Sequence, residues 1–352
     1  MKKIILTGGG TAGHVIPNLA LVPQLLANGY EIYYIGSRTG IERELVEGAG
    51  VTYFGISSGK LRRYASAKNI TDIFKVLAGF KDALRIIRKI CPDIVFSKGG
   101  FVVVPVIAAA RFCGVKSVIH ESDMTPGLAN KLAMPFASKI CVSFPETLAR
   151  VPKTKGVLTG TPIRPGLLNG NKEAGFKIAK FTAENTNPVL LVTGGSQGSA
   201  AINMAIRDAL PQFLQKFKIV HLCGKGNLSG ITQEGYVEFE YLNNEMADVL
   251  AMADVVISRA GANTLFELVA MEKPNLLIPL PAEVSRGDQI QNATSFEKQG
   301  LSVVLPEKDM TPERLLNNIT ALYDNRETFT RNMKQKNVGG GVERVMDVII
   351  GK

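Results

Sequence analysis

The feature that most restricts how this chain can fold is a junction that occurs twice: an apolar strand running into a glycine turn and then a helix. Lys3-Ile4-Ile5-Leu6-Thr7 leads into Gly8-Gly9-Gly10-Thr11-Ala12-Gly13, and apolar Leu19, Val22, Leu25 and Leu26 follow at helical spacing. Far downstream, Pro188-Val189-Leu190-Leu191-Val192-Thr193 leads into Gly194-Gly195-Ser196-Gln197-Gly198, followed by a helix rich in Ala, Ile and Leu. Thr7-Gly8-Gly9 and Thr193-Gly194-Gly195 are the corresponding points. A strand, turn and helix restarted in this way imply two similar α/β domains.

The segments between fit that plan. In the first half, strands are expected at Glu31–Ile35, Val51–Ile56, Ile94–Ser97, Ser117–His120 and Lys139–Val142, with helical stretches between most of them. The second half should add strands at Lys218–Cys223, Val237–Phe239, Val255–Ser258, Asn275–Pro279 and Ser302–Leu305. Such alternation makes a parallel sheet covered by helices on both faces. At Gly160-Thr161-Pro162-Ile163-Arg164-Pro165 two prolines and a glycine break the pattern, as a hinge would. The expected domains are therefore 1–163 and 164–340. A final helix around Val342 to Ile350 must bury an apolar face, with 341–352 free to pack back on the first domain.

Cys91, Cys113, Cys141 and Cys223 are far apart with no CxxC pair, so neither a disulfide framework nor a zinc site is expected. The N-terminal apolar run meets glycine too early for a signal peptide, and no run of about 18 apolar residues exists to span a bilayer. Charge is uneven. Residues 1–163 hold 21 Lys/Arg against 10 Asp/Glu, a net +11, whereas residues 164–352 hold 20 against 21, a net −1. Only the first half is thus built to meet an anionic partner, and charge alone leaves nucleic acid and anionic lipid both open. The charge is densest from Lys60 to Lys89, with nine Lys/Arg against Asp72 and Asp82. Apolar Ile70, Ile73, Phe74, Leu77, Leu84 and Ile87 run through it at helical spacing. Either that face is buried in its own domain, or a few of these residues dip into a membrane interface beside the basic ones.

Glycine turns at helix N-termini suit phosphate, because backbone N–H groups and the helix dipole both favour an anion there. Neither turn is a Walker loop, and neither completes a dinucleotide fingerprint. Ser258-Arg259-Ala260-Gly261-Ala262-Asn263-Thr264-Leu265-Phe266-Glu267 reads as a strand end, a small-residue turn and a helix start. Glu267, one turn inside, can accept both hydroxyls of a ribose. His14, one of three histidines, follows the first glycine turn and is a candidate proton acceptor, with Glu121 and Asp123 of His120-Glu121-Ser122-Asp123 as rivals. His221, inside a strand, reads as structural. With no Asp-x-Asp triplet and no HxxH or HExxH spacing, no metal or other cofactor is expected, and a diphosphate would be held by amides and helix dipoles.

Gly8 to Pro17, His120 to Asp123, Gly194 to Gly198 and the 258–267 segment together resemble the bacterial UDP-N-acetylglucosamine transferases that convert lipid I to lipid II in peptidoglycan synthesis. The resemblance runs over essentially the whole chain. It implies a GT-B fold, α/β with two Rossmann-like domains facing across a cleft, and inversion of the anomeric centre. It also implies a peripheral seat on the cytoplasmic face of the cell membrane, with lipid rather than nucleic acid as the anionic partner. By position, Thr11, Ala12 and Gly13 would lie near the transferred sugar and the acceptor diphosphate. Arg164, Ser196, the run Ala262, Asn263, Thr264, Leu265, Phe266, Glu267, and Gln289 would hold UDP-GlcNAc, with uracil near Asn243 through backbone groups. Asp123 stands where many relatives have asparagine, and Asp288 where some have the first glutamine of a pair. The runner-up activity is transfer to another lipid, such as diacylglycerol.

Overall fold

The computed structural model describes residues 1–59, 68–182, 186–195, 197–336 and 339–352, with the backbone alone for 68–71. It forms two compact units: Met1–Arg164 with Gly340–Lys352, and Pro165–Gly339.

Unit 1 is a parallel sheet of β1 (Lys2–Thr7), β2 (Tyr30–Ser37), β3 (Thr52–Ile56), β4 (Ile94–Ser97), β5 (Lys116–Glu121), β6 (Lys139–Val142) and β7 (Gly156–Leu158). The spatial order is β3-β2-β1-β4-β5-β6-β7. The helices that matter for the site are α1 (Ala12–Leu19), α2 (Glu42–Gly48), α3 (Lys68–Ile90), α4 (Val103–Phe112) and α5 (Leu128–Ala133). β1 has apolar residues on both faces because both are covered, as central parallel strands require. Ile4 and Leu6 join a core with Val15, Leu21 and Leu25 on one face, and with Val342, Val345, Met346 and Ile349 of the helix Gly341–Ile350. Ile5 points the other way, into a core with Ala83, Ile87, Val103, Val106 and Ile107. Each fully buried aliphatic side chain here stabilises the fold by about 1.5–3 kcal/mol. Arg344 Nε donates to Thr159 O at 2.8 Å, adding a polar tie between that helix and the rest of unit 1.

Unit 2 repeats the architecture with β8 (Val189–Thr193), β9 (Lys218–Leu222), β10 (Tyr236–Phe239), β11 (Val255–Ser258), β12 (Asn275–Leu277) and β13 (Val303–Val304). These strands too are parallel, in the order β10-β9-β8-β11-β12-β13. Its helices α6 (Ala200–Asp208), α7 (Ala262–Ala270) and α8 (Asp288–Lys298) follow β8, β11 and β12. In each sheet the strand carrying the glycine turn is the one at which the strand order reverses. Ligands of open parallel sheets bind at the carboxyl ends of the strands, at such a reversal.

Helix α3 divides its apolar residues. Ala83, Ile87 and Ile90 are buried, while Ile73, Phe74 and Leu77 are 52%, 67% and 55% exposed. Lys60, Arg62 and Arg63 lie outside the described residues. Among the described residues, no helix is long and apolar enough to cross a membrane.

Candidate functional site

At the reversal in unit 1, the turn after β1 meets the turn after β4. Gly9 N–H donates to Gly99 O at 3.4 Å. A side chain on Gly100, whose φ is +89°, would overlap the Gly9 backbone, so glycine is required for this approach. Thr11 caps α1, yet its hydroxyl does not bond a helix amide. It lies 3.1 Å from His14 Nδ1. The same nitrogen is 3.0 Å from Gly9 O. A carbonyl oxygen only accepts, so Nδ1 is the donor in this bond. The ring packs against Gly99, where an added Cβ would come within 3.2 Å of His14 Cδ2. Two glycine amides of this turn are committed internally, Gly9 N–H to Gly99 O and Gly10 N–H to Glu42 Oε2 at 3.3 Å.

Glu121 and Asp123 follow β5. Glu121 is buried and accepts from Asp123 N at 3.0 Å, Gly127 N at 2.9 Å and Asn130 Nδ2 at 2.9 Å. Its carboxyl is raised above the ordinary value by burial first and by the Asp123 charge second, against the pull of those donors. Gly127 caps α5, so this carboxylate organises the loop into that helix. Asp123 is half-buried beside it.

Lys98 was not legible as a site residue, although Gly99-Gly100 after a strand end marks the turn that carries it. Its ammonium is buried, 3.0 Å from His120 Nδ1, and donates to Ser122 Oγ. Burial lowers it to about 8, against the charges of Glu121 and Asp123, which hold the proton on. His120 Nε2 donates to Gly160 O at 2.8 Å. Burial, and then Lys98, push His120 well below the ordinary histidine value, so it is neutral with its proton on Nε2.

At the reversal in unit 2, Gly195 N–H donates to Thr193 Oγ1 at 3.2 Å, and Gly198 N–H to Gly195 O at 2.9 Å. Ser196 lies outside the described residues. Ser199 caps α6, its Oγ accepting from Ile202 N at 3.4 Å. Arg259, in the turn after β11, ties three loops together. It donates to Ser199 Oγ at 2.6 Å and Ile278 O at 3.2 Å, and pairs with Glu307 at 2.5 Å. On α7, Leu265 and Phe266 are buried, Phe266 edge-on to Phe296 at 5.4 Å, so only their backbone can face a ligand. Ala262 is likewise buried, while Asn263, Thr264 and Glu267 are half-exposed. Gln289 Oε1 accepts from Ala260 N at 3.2 Å and Leu280 N at 3.0 Å. That oxygen is spent on positioning two loops. Asn243 is exposed, and its N–H donates to Glu245 Oε2 at 3.3 Å. Arg164 is half-buried at the end of unit 1's main segment. His221 is buried between Tyr236 OH at 2.9 Å and Asn203 Oδ1 at 3.0 Å, and burial lowers it to about 4. It is a core histidine.

The N-terminal domain of glycosyltransferase family 28 matches residues 4–142, and the C-terminal domain of the same family matches residues 189–348. A UDP-N-acetylglucosamine--N-acetylmuramyl-(pentapeptide) pyrophosphoryl-undecaprenol N-acetylglucosamine transferase of Lachnospira eligens is 54% identical over 351 residues, covering 99% of each chain. The protein of the same name from Clostridium botulinum (strain Loch Maree / Type A3) is also 54% identical over 351 residues, with 99% of each covered. Among solved structures, MurG of Acinetobacter baumannii superimposes with a TM-score of 0.76 at 25% identity over 100% of both chains. A kitacinnamycin glycosyltransferase gives 0.77 at 16% identity, covering 99% of this chain and 98% of its own, a likeness of fold. The two doubly wound sheets thus have the GT-B architecture. The chain belongs to glycosyltransferase family 28 and, within it, to the lipid II-forming N-acetylglucosamine transferases.

Proposed function

We infer that the protein transfers N-acetylglucosamine from UDP-GlcNAc to the C4 hydroxyl of the N-acetylmuramyl sugar of lipid I, forming lipid II with inversion. The identity of more than half the residues to transferases of that name, over nearly the whole chain, carries this reading. Unit 2 holds the diphosphate of UDP, where the 194–198 turn and the α7 N-terminus supply amides and helix dipole to it. Glu267 takes the ribose hydroxyls, and Asn263, Thr264, Gln289, Arg164 and Ser196 complete the donor contacts. The backbone near Asn243 receives uracil. In unit 1, Thr11, Ala12 and Gly13 receive the acceptor diphosphate.

His14 is the base. Its Nδ1–H is held by Gly9 O, which leaves the Nε2 lone pair to take the acceptor's proton. Glu121 is the weaker candidate because three donors already converge on it. Asp123 serves beside it as a charge that keeps Lys98 protonated. Replacing His14 with alanine should lower kcat by about 10²- to 10⁴-fold with little change in KM for UDP-GlcNAc. Near-normal turnover in that variant removes it as base.

Ile73, Phe74 and Leu77, exposed on α3 among Lys75, Lys81 and Arg85, form the contact with anionic lipid on the cytoplasmic face of the membrane. Phe112, 67% exposed and edge-on to Phe80, extends it. Radiolabelled donor offered with lipid I and with diacylglycerol separates the two acceptor classes: label should enter only the first.

A further inference from the structure

A buried carboxylate that this reaction scheme does not use stands behind the first glycine turn. Glu42, the first residue of α2, is fully buried. Its Oε1 accepts from Ser37 N at 2.8 Å and Ser37 Oγ at 2.5 Å, and its Oε2 from Gly10 N at 3.3 Å. Gly9, Gly36 and Gly40 make its seat, since a Cβ on any of them would overlap the Glu42 side chain. Burying a carboxylate is costly unless its oxygens are well satisfied. A glutamine of the same shape would avoid the charge, but it would turn an NH2 group towards donors. Three donors converging on two oxygens require a group that only accepts.

One of those donors belongs to the peptide unit that holds His14. In the trans peptide joining Gly9 to Gly10, the Gly10 N–H and the Gly9 C=O point in opposite directions within one plane. Glu42 takes the N–H, and His14 Nδ1–H donates to the carbonyl at 3.0 Å. Bonds in such a chain polarise one another. We propose that Glu42 is a positioning residue for His14, acting through the Gly9–Gly10 peptide to aim the carbonyl that keeps the ring in its Nδ1–H tautomer. The link to catalysis rests on the reading of His14 as base; the link to ring orientation does not.

The test is ¹⁵N NMR of the imidazole nitrogens in the substrate-free protein, where only three histidines contribute. Wild type should show neutral His14 almost wholly as Nδ1–H. Glu42→Gln should raise the Nε2–H fraction several-fold and lower kcat by about 10- to 100-fold, with KM for UDP-GlcNAc within about twofold. Glu42→Asp keeps the charge but is one methylene short of spanning Ser37 and Gly10. It should give an intermediate tautomer shift, and it carries the test if the glutamine variant does not fold. A folded variant of either kind with wild-type tautomer ratio and kcat overturns the proposal. A shifted ratio with unchanged kcat upholds the positioning and removes His14 as the base.

Discussion

Lys98 shows how one side chain can hold a loop together at a cost in stability. Its ammonium organises His120 and Ser122 at the carboxyl edge of the unit 1 sheet, yet burial depresses it to about 8 from an ordinary 10.5. Between those values the unfolded chain binds more protons than the folded one, so this residue's contribution to stability rises with pH across that window. Below about 8 the cost is fully present; above the ordinary value it vanishes. Replacing Lys98 with methionine should therefore remove a pH-dependent increment of about 2 kcal/mol from the unfolding free energy between about pH 7.5 and about pH 10. Urea unfolding of both proteins across that range checks it, and parallel pH profiles contradict it. The sequence marks the turn but not the role of this residue, because a lysine directly before a glycine pair looks like any solvated loop cation. Only the fold shows that β4 and β5 bring it against His120.

The turns make a different kind of prediction, because their geometry is set by what glycine lacks. Gly198 has φ of +75° and sits where a side chain would overlap the Cys223 carbonyl. Gly198→Ala should shift the 194–198 turn, at a cost of about 1–3 kcal/mol in stability. KM for UDP-GlcNAc should then rise by about tenfold or more, a loss of one well-placed charge-assisted contact. Unchanged donor affinity would dissociate this turn from the diphosphate. Helix α3 yields a second prediction. Replacing Phe74 and Leu77 with serine should abolish sedimentation with anionic vesicles while leaving the melting temperature unchanged, since both side chains already face solvent. Retained vesicle binding would move the membrane contact elsewhere. Most elements were legible in the sequence, since alternating apolar runs and glycine turns mark strand ends directly, as at Thr7 and Thr193. β7 was missed because its three residues, Gly156–Leu158, are too few to show a period. The split of α3 into buried Ile87 and exposed Phe74 was not readable, because apolar spacing records a face but not what covers it.

The molecule as a whole is two versions of one sheet with different charge. The half up to residue 163 carries +11 and the remainder −1, while both place glycine turns at the reversal of strand order. The residue types at the two glycine turns were visible in the sequence. Their supports were not, since Glu42 and Arg259 act by reaching loops 32 and 60 residues away. A duplicated architecture with unequal charge suits a reaction between a nucleotide sugar and a lipid-linked anion. The account therefore stands on acceptor-dependent sugar transfer. The direct measurement is UDP release by the purified protein given UDP-GlcNAc, with and without lipid I. Release should match lipid II formation mole for mole and fall to background when lipid I is omitted. Equal release in both conditions, or none in either, would contradict it.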